Sequence, residues 1–131
     1  MAKPFQCSVI TPEGKVYDGP ADFVVIPAFD GELGILYDRA PLLAKLGAGR
    51  LRVDNGNQQQ MWFVDGGFAQ VLENQTVVLT KRALKPQEID PAKARAALEE
   101  TRHIIATDDL AQKRKEATET SARAQLRIAG K

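Results

Sequence analysis

The chain has one cysteine, Cys7, and one histidine, His103, in 131 residues. A single cysteine excludes a disulfide framework and a cysteine-based metal cluster within one chain, and it fits a reducing compartment. No apolar run approaches the roughly 20 residues of a membrane span. The N-terminus opens directly into a strand-like run, so no signal or transit peptide is expected, and any membrane association is expected only through partners. The net charge is +1. No broad field favours nucleic acid or anionic lipid, and nucleic acid is not an expected partner. Aromatics make up 6% of the chain, and all eight lie at or before Phe68. From Gln87 to Ala129 there is neither glycine nor aromatic. That lack divides the chain near Pro86 into a head, 1–85, and a tail, 86–131.

The head reads as short β-runs separated by turns. Phe5 to Ile10 ends at Thr11-Pro12-Glu13-Gly14, and Lys15-Val16-Tyr17 ends at Asp18-Gly19-Pro20. Phe23 to Ile26 is continuously apolar, as in a strand buried on both faces. Gly31 to Leu36, Leu42 to Leu46 and the alternating Arg50 to Val53 follow. Asn55-Gly56 is a strong hairpin signal. Gln60 to Val64, Phe68 to Leu72 and Thr76 to Thr80 complete the set. About ten short strands at this spacing predict an antiparallel sandwich or barrel. About 85 residues suffice for a small core.

The tail reads as helix. Asp90-Pro91 marks a start, with Asp as cap and Pro at the first helical position. Ala94, Ala97, Leu98, Thr101 and Ile105 recur at helical spacing. Thr107 is the expected cap of a second helix, followed by Asp108 and Asp109. Its expected stripe is Leu110, Ala117, Ser121, Ala124 and Ile128, with Arg123, Arg127 and Lys131 near its end. So short a connection makes the helices an antiparallel hairpin. The predicted class is therefore α+β, a sandwich followed by a helical hairpin. Large apolar side chains in the tail are few, each worth roughly 1.5–3 kcal/mol when fully buried, so the hairpin needs a surface to dock on. Marginal docking is what a movable arm requires.

Candidate chemistry is sparse. His103 lacks an evident Ser or Cys partner and reads as a solvated helix residue, and Cys7 reads as core. No phosphate-binding glycine loop, zinc spacing or nucleophile elbow is present, so nothing argues for an enzyme. Lys113-Arg114-Lys115 reads equally as a solvated face or as a contact for an acidic partner.

Gly31-Glu32-Leu33-Gly34-Ile35, then Ala40-Pro41-Leu42-Leu43, resembles the signature of the epsilon subunit of bacterial F-type ATP synthases. Gly66-Gly67-Phe68 with Thr76 to Leu79, and the terminal Ala124-Gln125-Leu126-Arg127, fit the same family. The resemblance implies a flattened ten-stranded sandwich and a helical hairpin. It implies a non-catalytic rotor subunit of the central stalk, bound to the gamma subunit, resting on the c-subunit ring and reaching the alpha/beta hexamer. The arm would switch between a compact form and an extended form that obstructs hydrolytic rotation. The location implied is the cytoplasmic face of the bacterial inner membrane, peripheral. Glu32 matches the family position that contacts the polar loops of the c ring, where the residue alone reads as an exposed turn carboxylate. Arg39 stands where many members carry His, and its own charge still suits those loops. Lys113, Arg114, Lys115, Arg123 and Arg127 would meet an acidic segment of the beta subunit. Some members bind regulatory ATP through Ile/Leu-Asp-x-x-Arg-Ala. The matching residues here are Ile89, Asp90, Lys93 and Ala94, with Lys in place of Arg and Arg95 two positions on. Lys lacks the planar bidentate fork, and Asp90 also reads simply as a helix cap. No other cofactor is expected. A stand-alone β-sandwich binding module with a helical oligomerisation tail remains the alternative class, and an enzyme of acidic substrates a weaker third.

Overall fold

A computed structural model describes residues 3–129. The head contains β1 (Phe5–Thr11), β2 (Gly14–Ala21), β3 (Phe23–Ala28), β4 (Gly31–Ile35), β5 (Leu42–Asn55), β6 (Gln58–Leu72), β7 (Gln75–Leu79) and β8 (Ala83–Leu84). A 3-10 turn at Pro86–Glu88 leads to α1 (Pro91–Arg102) and α2 (Asp109–Ile128). The strand order is β2-β1-β7-β6-β5-β3-β4, with β8 beside β6. All pairings are antiparallel except β1 with β7.

The described residues form eight strands rather than about ten. Leu42 to Leu46 and Arg50 to Val53 are one strand of 14 residues, and Gln60 to Val64 and Phe68 to Leu72 are one of 15. Glycines cause both continuity and disguise. Leu46 pairs with Gly67 and Ala48 with Asp65, leaving Gly47 opposite Gly66 at a break in the ladder. Gly66 and Gly67 have φ of 75° and 107°, which glycine adopts without strain. The buried side chains switch phase there: Trp62 and Val64 face the core before the break, Ala69 and Val71 after it. The long hairpin thereby bends and serves both layers of the sandwich. A Cβ at Gly67 would collide with the Leu79 carbonyl.

The core gathers Phe5, Cys7, Val9, Val24, Ile26, Ile35, Leu51, Val53, Trp62, Val64, Val71 and Val78. Tyr17 meets Trp62 edge to face at 5.9 Å. β3 is not buried on both faces as expected: Val24 and Ile26 are buried, while Phe23 and Val25 are half-covered. Two-residue turns close the hairpins. One holds Gly56, whose N–H donates to Asp22 at 2.6 Å. Another is Glu73-Asn74, both at positive φ, the geometry that matches strand twist.

The two helices pack against each other, and α2 lies on β5 and β6. Asp90 caps α1, accepting from the Ala92 and Lys93 amides at 3.0 and 3.3 Å. Asp108, not Thr107, caps α2, accepting from Ala111 N–H at 2.7 Å. Both expected helix stripes are shorter than read. Ile105 lies beyond the end of α1 and Leu110 sits in the first turn of α2, and both are exposed, as is Ala117. Lys131 lies outside the described residues.

Candidate functional site

Three surfaces of the molecule can carry function. On the limbs that pair Ala48–Asn55 of β5 with Gln58–Asp65 of β6, Phe63, Asp65, Ala48 and Arg50 face away from the sandwich core and toward the arm. Phe63, Ile89 and Ala124 form a second small core with Ala48, Leu84, Ile128 and Ala129 around it. A polar latch lies alongside. Arg82 pairs with Asp65 at 3.6 Å and donates to Ser121 Oγ at 3.5 Å. Ser121 Oγ donates to Asp65 at 3.4 Å, and Gln125 donates to Ser121 at 3.3 Å. The Arg82 guanidinium also lies over the Phe63 ring, 5.5 Å from its centre. Thr80 fixes this corner by accepting from Asp65 N–H and donating to the Arg82 carbonyl. These distances are long for hydrogen bonds, so the latch positions the arm more than it holds it. None of Phe63, Asp65 and Arg82 stood out in the sequence.

The second surface is the end of the sandwich at the β3–β4 turn. Glu32 is exposed and pairs with Arg50 at 3.7 Å. Arg39 is half-buried and shares with Glu32 a cavity of about 580 Å³, lined also by Phe29, Leu42, Leu43 and Lys45. The structure thus brings the two expected c-ring residues together. It does not gather the five arm cations. At about 100° per residue, Lys113, Arg123 and Arg127 share one side of α2, whereas Arg114 and Lys115 point elsewhere. Arg123 pairs with Glu119 at 3.5 Å, Lys115 is half-buried, and Arg127 reaches a cavity against the head.

The third surface is the outer face of β1, β7 and the limbs that pair Leu42–Leu46 of β5 with Gly67–Val71 of β6. Ile10, Leu79 and Phe68 lie in one cross-strand row, with Val77 and Leu43 in the next row on either side of Gln70. Phe68 and Leu79 are about half exposed, 52% and 50%. The row is an exposed apolar strip on the sheet surface.

The remaining candidates have structural occupations. Ile89 is buried against Phe63, Ala94 is buried in α1, and the Asp90 carboxylate caps α1; Lys93 is exposed. His103 ends α1, exposed, 3.8 Å from Glu99. Cys7 is enclosed, and burial, with Asp18 adding to it, pushes its thiol up to about 12, so it stays protonated and inert. No group of three or more His, Cys, Asp or Glu among the described residues is arranged to hold a metal. No described helix is long and apolar enough to cross a membrane.

A sandwich that carries a thinly latched helical arm and an exposed apolar row has the build of a subunit of a larger assembly. Residues 4–86 match the family described as ATP synthase, Delta/Epsilon chain, beta-sandwich domain. The ATP synthase epsilon chain of Rhodopirellula baltica is 41% identical over 122 residues, 93% of this chain and 95% of that protein. The sodium-ion-specific ATP synthase epsilon chain of Propionigenium modestum is 33% identical, over 72% of this chain and 69% of that one. Among solved structures, a chain of the Euglena gracilis mitochondrial ATP synthase (OSCP/F1/c-ring) superposes with a TM-score of 0.84. It is 23% identical, covering 98% of this chain and 82% of its own. A chain of the Tetrahymena thermophila central stalk and c ring gives 0.73 at 17% identity, covering 98% of both chains. The chain belongs to the epsilon-chain family of the F-type ATP synthases.

Proposed function

We propose that this chain is a non-catalytic rotor subunit of a proton-translocating ATP synthase, that it couples proton flow to ATP synthesis, and that its arm inhibits ATP hydrolysis when released. The observation that carries this reading is the thinness of the arm–head contact. Three of its seven apolar members are alanines, the polar latch is long, and the larger apolar residues at the hairpin tip, Ile104, Ile105 and Leu110, are exposed. A contact of that kind releases at low cost. The gamma subunit takes the apolar row of Ile10, Leu79 and Phe68. The c ring takes the end of the sandwich at Glu32 and Arg39. The extended arm offers its cations to the alpha/beta hexamer. The complex would lie on the cytoplasmic face of the bacterial inner membrane.

Regulatory ATP at Ile89, Asp90, Lys93 and Ala94 is the weaker part of this reading, since Asp90 already serves two amides of α1. Titrating the chain with ATP and following the Lys93 amide tests it; an unmoved signal rejects it. Self-association through Ile104, Ile105 and Leu110 is the competing reading. Co-purification separates the two. Phe68→Asp with Leu79→Asp should abolish recovery of gamma by a folded chain. Recovery of a homodimer without gamma from the wild type would favour the competing reading.

A further inference from the structure

One cavity joins the arm to the β3–β4 turn. Gly49 is buried and a Cβ there would lie 2.8 Å from Pro27 Cβ, so glycine lets β5 run flush against β3. That close approach sets Arg50 beside Glu32. The last turn of α2 closes the other side with Arg127 and Ile128, leaving a cavity of about 480 Å³. Among the described residues that line it, Glu32 supplies the negative charge, and Arg50 and Arg127 supply two positive charges. Glu32 also lines the neighbouring cavity with Arg39. It therefore stands in the wall between the arm's cavity and the exposed end of the sandwich.

We infer that Glu32 is a shared residue of two mutually weakening contacts, holding the docked arm from inside and binding a cationic or hydrogen-bond-donating loop from outside. The inference rests on the reading of Glu32 as a c-ring contact and adds regulation to it. With Glu32 turned toward Arg50, its carboxylate offsets the repulsion between Arg50 and Arg127. A loop that draws Glu32 outward leaves two guanidiniums lining one cavity without a counter-charge. The last turn of α2 then loosens. Linkage makes the effect reciprocal: an undocked arm frees Glu32 for the loop. The groups are more than a third exposed, so solvent screens them, and the effect is limited to about fivefold.

Amide hydrogen exchange on the full-length chain tests this. Glu32→Gln should speed exchange at Ser121–Ile128 by about two- to fivefold while leaving Val64 and Val78 unchanged. Adding Arg50→Gln to that variant should return the rate toward wild type, because the repulsion is gone. Unchanged exchange in Glu32→Gln, or no recovery in the double variant, overturns the inference. Detergent-solubilised c ring added to the wild-type chain should produce the same acceleration. Ring that binds without changing arm exchange also overturns it. Ring that fails to bind, with both variants behaving as stated, overturns the c-ring reading and leaves the Glu32 latch on the arm standing.

Discussion

Replacing Ala124 by Glu tests the arm's docking most sharply. Ala124 is 1% exposed and packs on Phe63 and Ile89. The contact it belongs to has three large aliphatic members, Ile89, Leu84 and Ile128, of which Leu84 and Ile128 are only partly covered. At roughly 1.5–3 kcal/mol for each fully buried side chain, the docking energy from them is a few kcal/mol at most. An unpaired carboxylate in that place costs several kcal/mol in desolvation. The penalty exceeds what docking supplies, so the arm leaves and the head stays folded. Exchange at α2 amides should rise at least tenfold, while the head's cooperative thermal transition moves by only a few degrees. In the assembled complex, the released arm should deepen inhibition of ATP hydrolysis. A variant whose head unfolds together with the arm would refute the reasoning, since arm and head would then be one cooperative unit. Unchanged exchange would refute it equally.

Other expectations concern the head and the charges. Gly67→Ala, which forces a Cβ into the Leu79 carbonyl at a φ of 107°, should destabilise the head by more than about 3 kcal/mol, read as a lower denaturation midpoint; a shift below 1 kcal/mol would deny the bend its role. Glu32→Lys should lower proton-driven ATP synthesis without unfolding the head, and wild-type synthesis in the folded variant would remove Glu32 from the c-ring contact. Alanine at Lys113, Arg114, Lys115, Arg123 and Arg127 together should relieve inhibition of hydrolysis far more than any single change, and less visibly at high salt. Undiminished inhibition by that variant would leave the arm to act by bulk and apolar docking.

The order of strands followed by helices was legible because glycine and aromatics stop where helix formers begin. The Asn55-Gly56 hairpin and the Asp90 cap were legible because each is a local signal with a local cause. The long strands were not. Gly47 and Gly66-Gly67 read as turns, yet their opposing placement across a hairpin turns two breaks into one bend. Thr107 and Asp108 are both competent caps, and the choice between them depends on where the hairpin closes. The arm's docking site was hidden for a different reason. Phe63 lies in an apolar run and points away from the core that its neighbours Trp62 and Val64 fill. Asp65, Arg82 and Ser121 come from three elements and carry no spacing that a linear reading could detect. Glu32 and Arg39 were picked out by motif alone; their shared cavity is a fact of folding.

The proposed brake is the arm and not the head. The direct measurement is ATP hydrolysis by the chain's own catalytic complex, stripped of this subunit and then reconstituted with either the full chain or residues 1–86. The full chain should lower hydrolysis, and the fragment should bind gamma while leaving hydrolysis near the stripped level. Equal inhibition by the fragment, or no inhibition by the full chain, would contradict the claim.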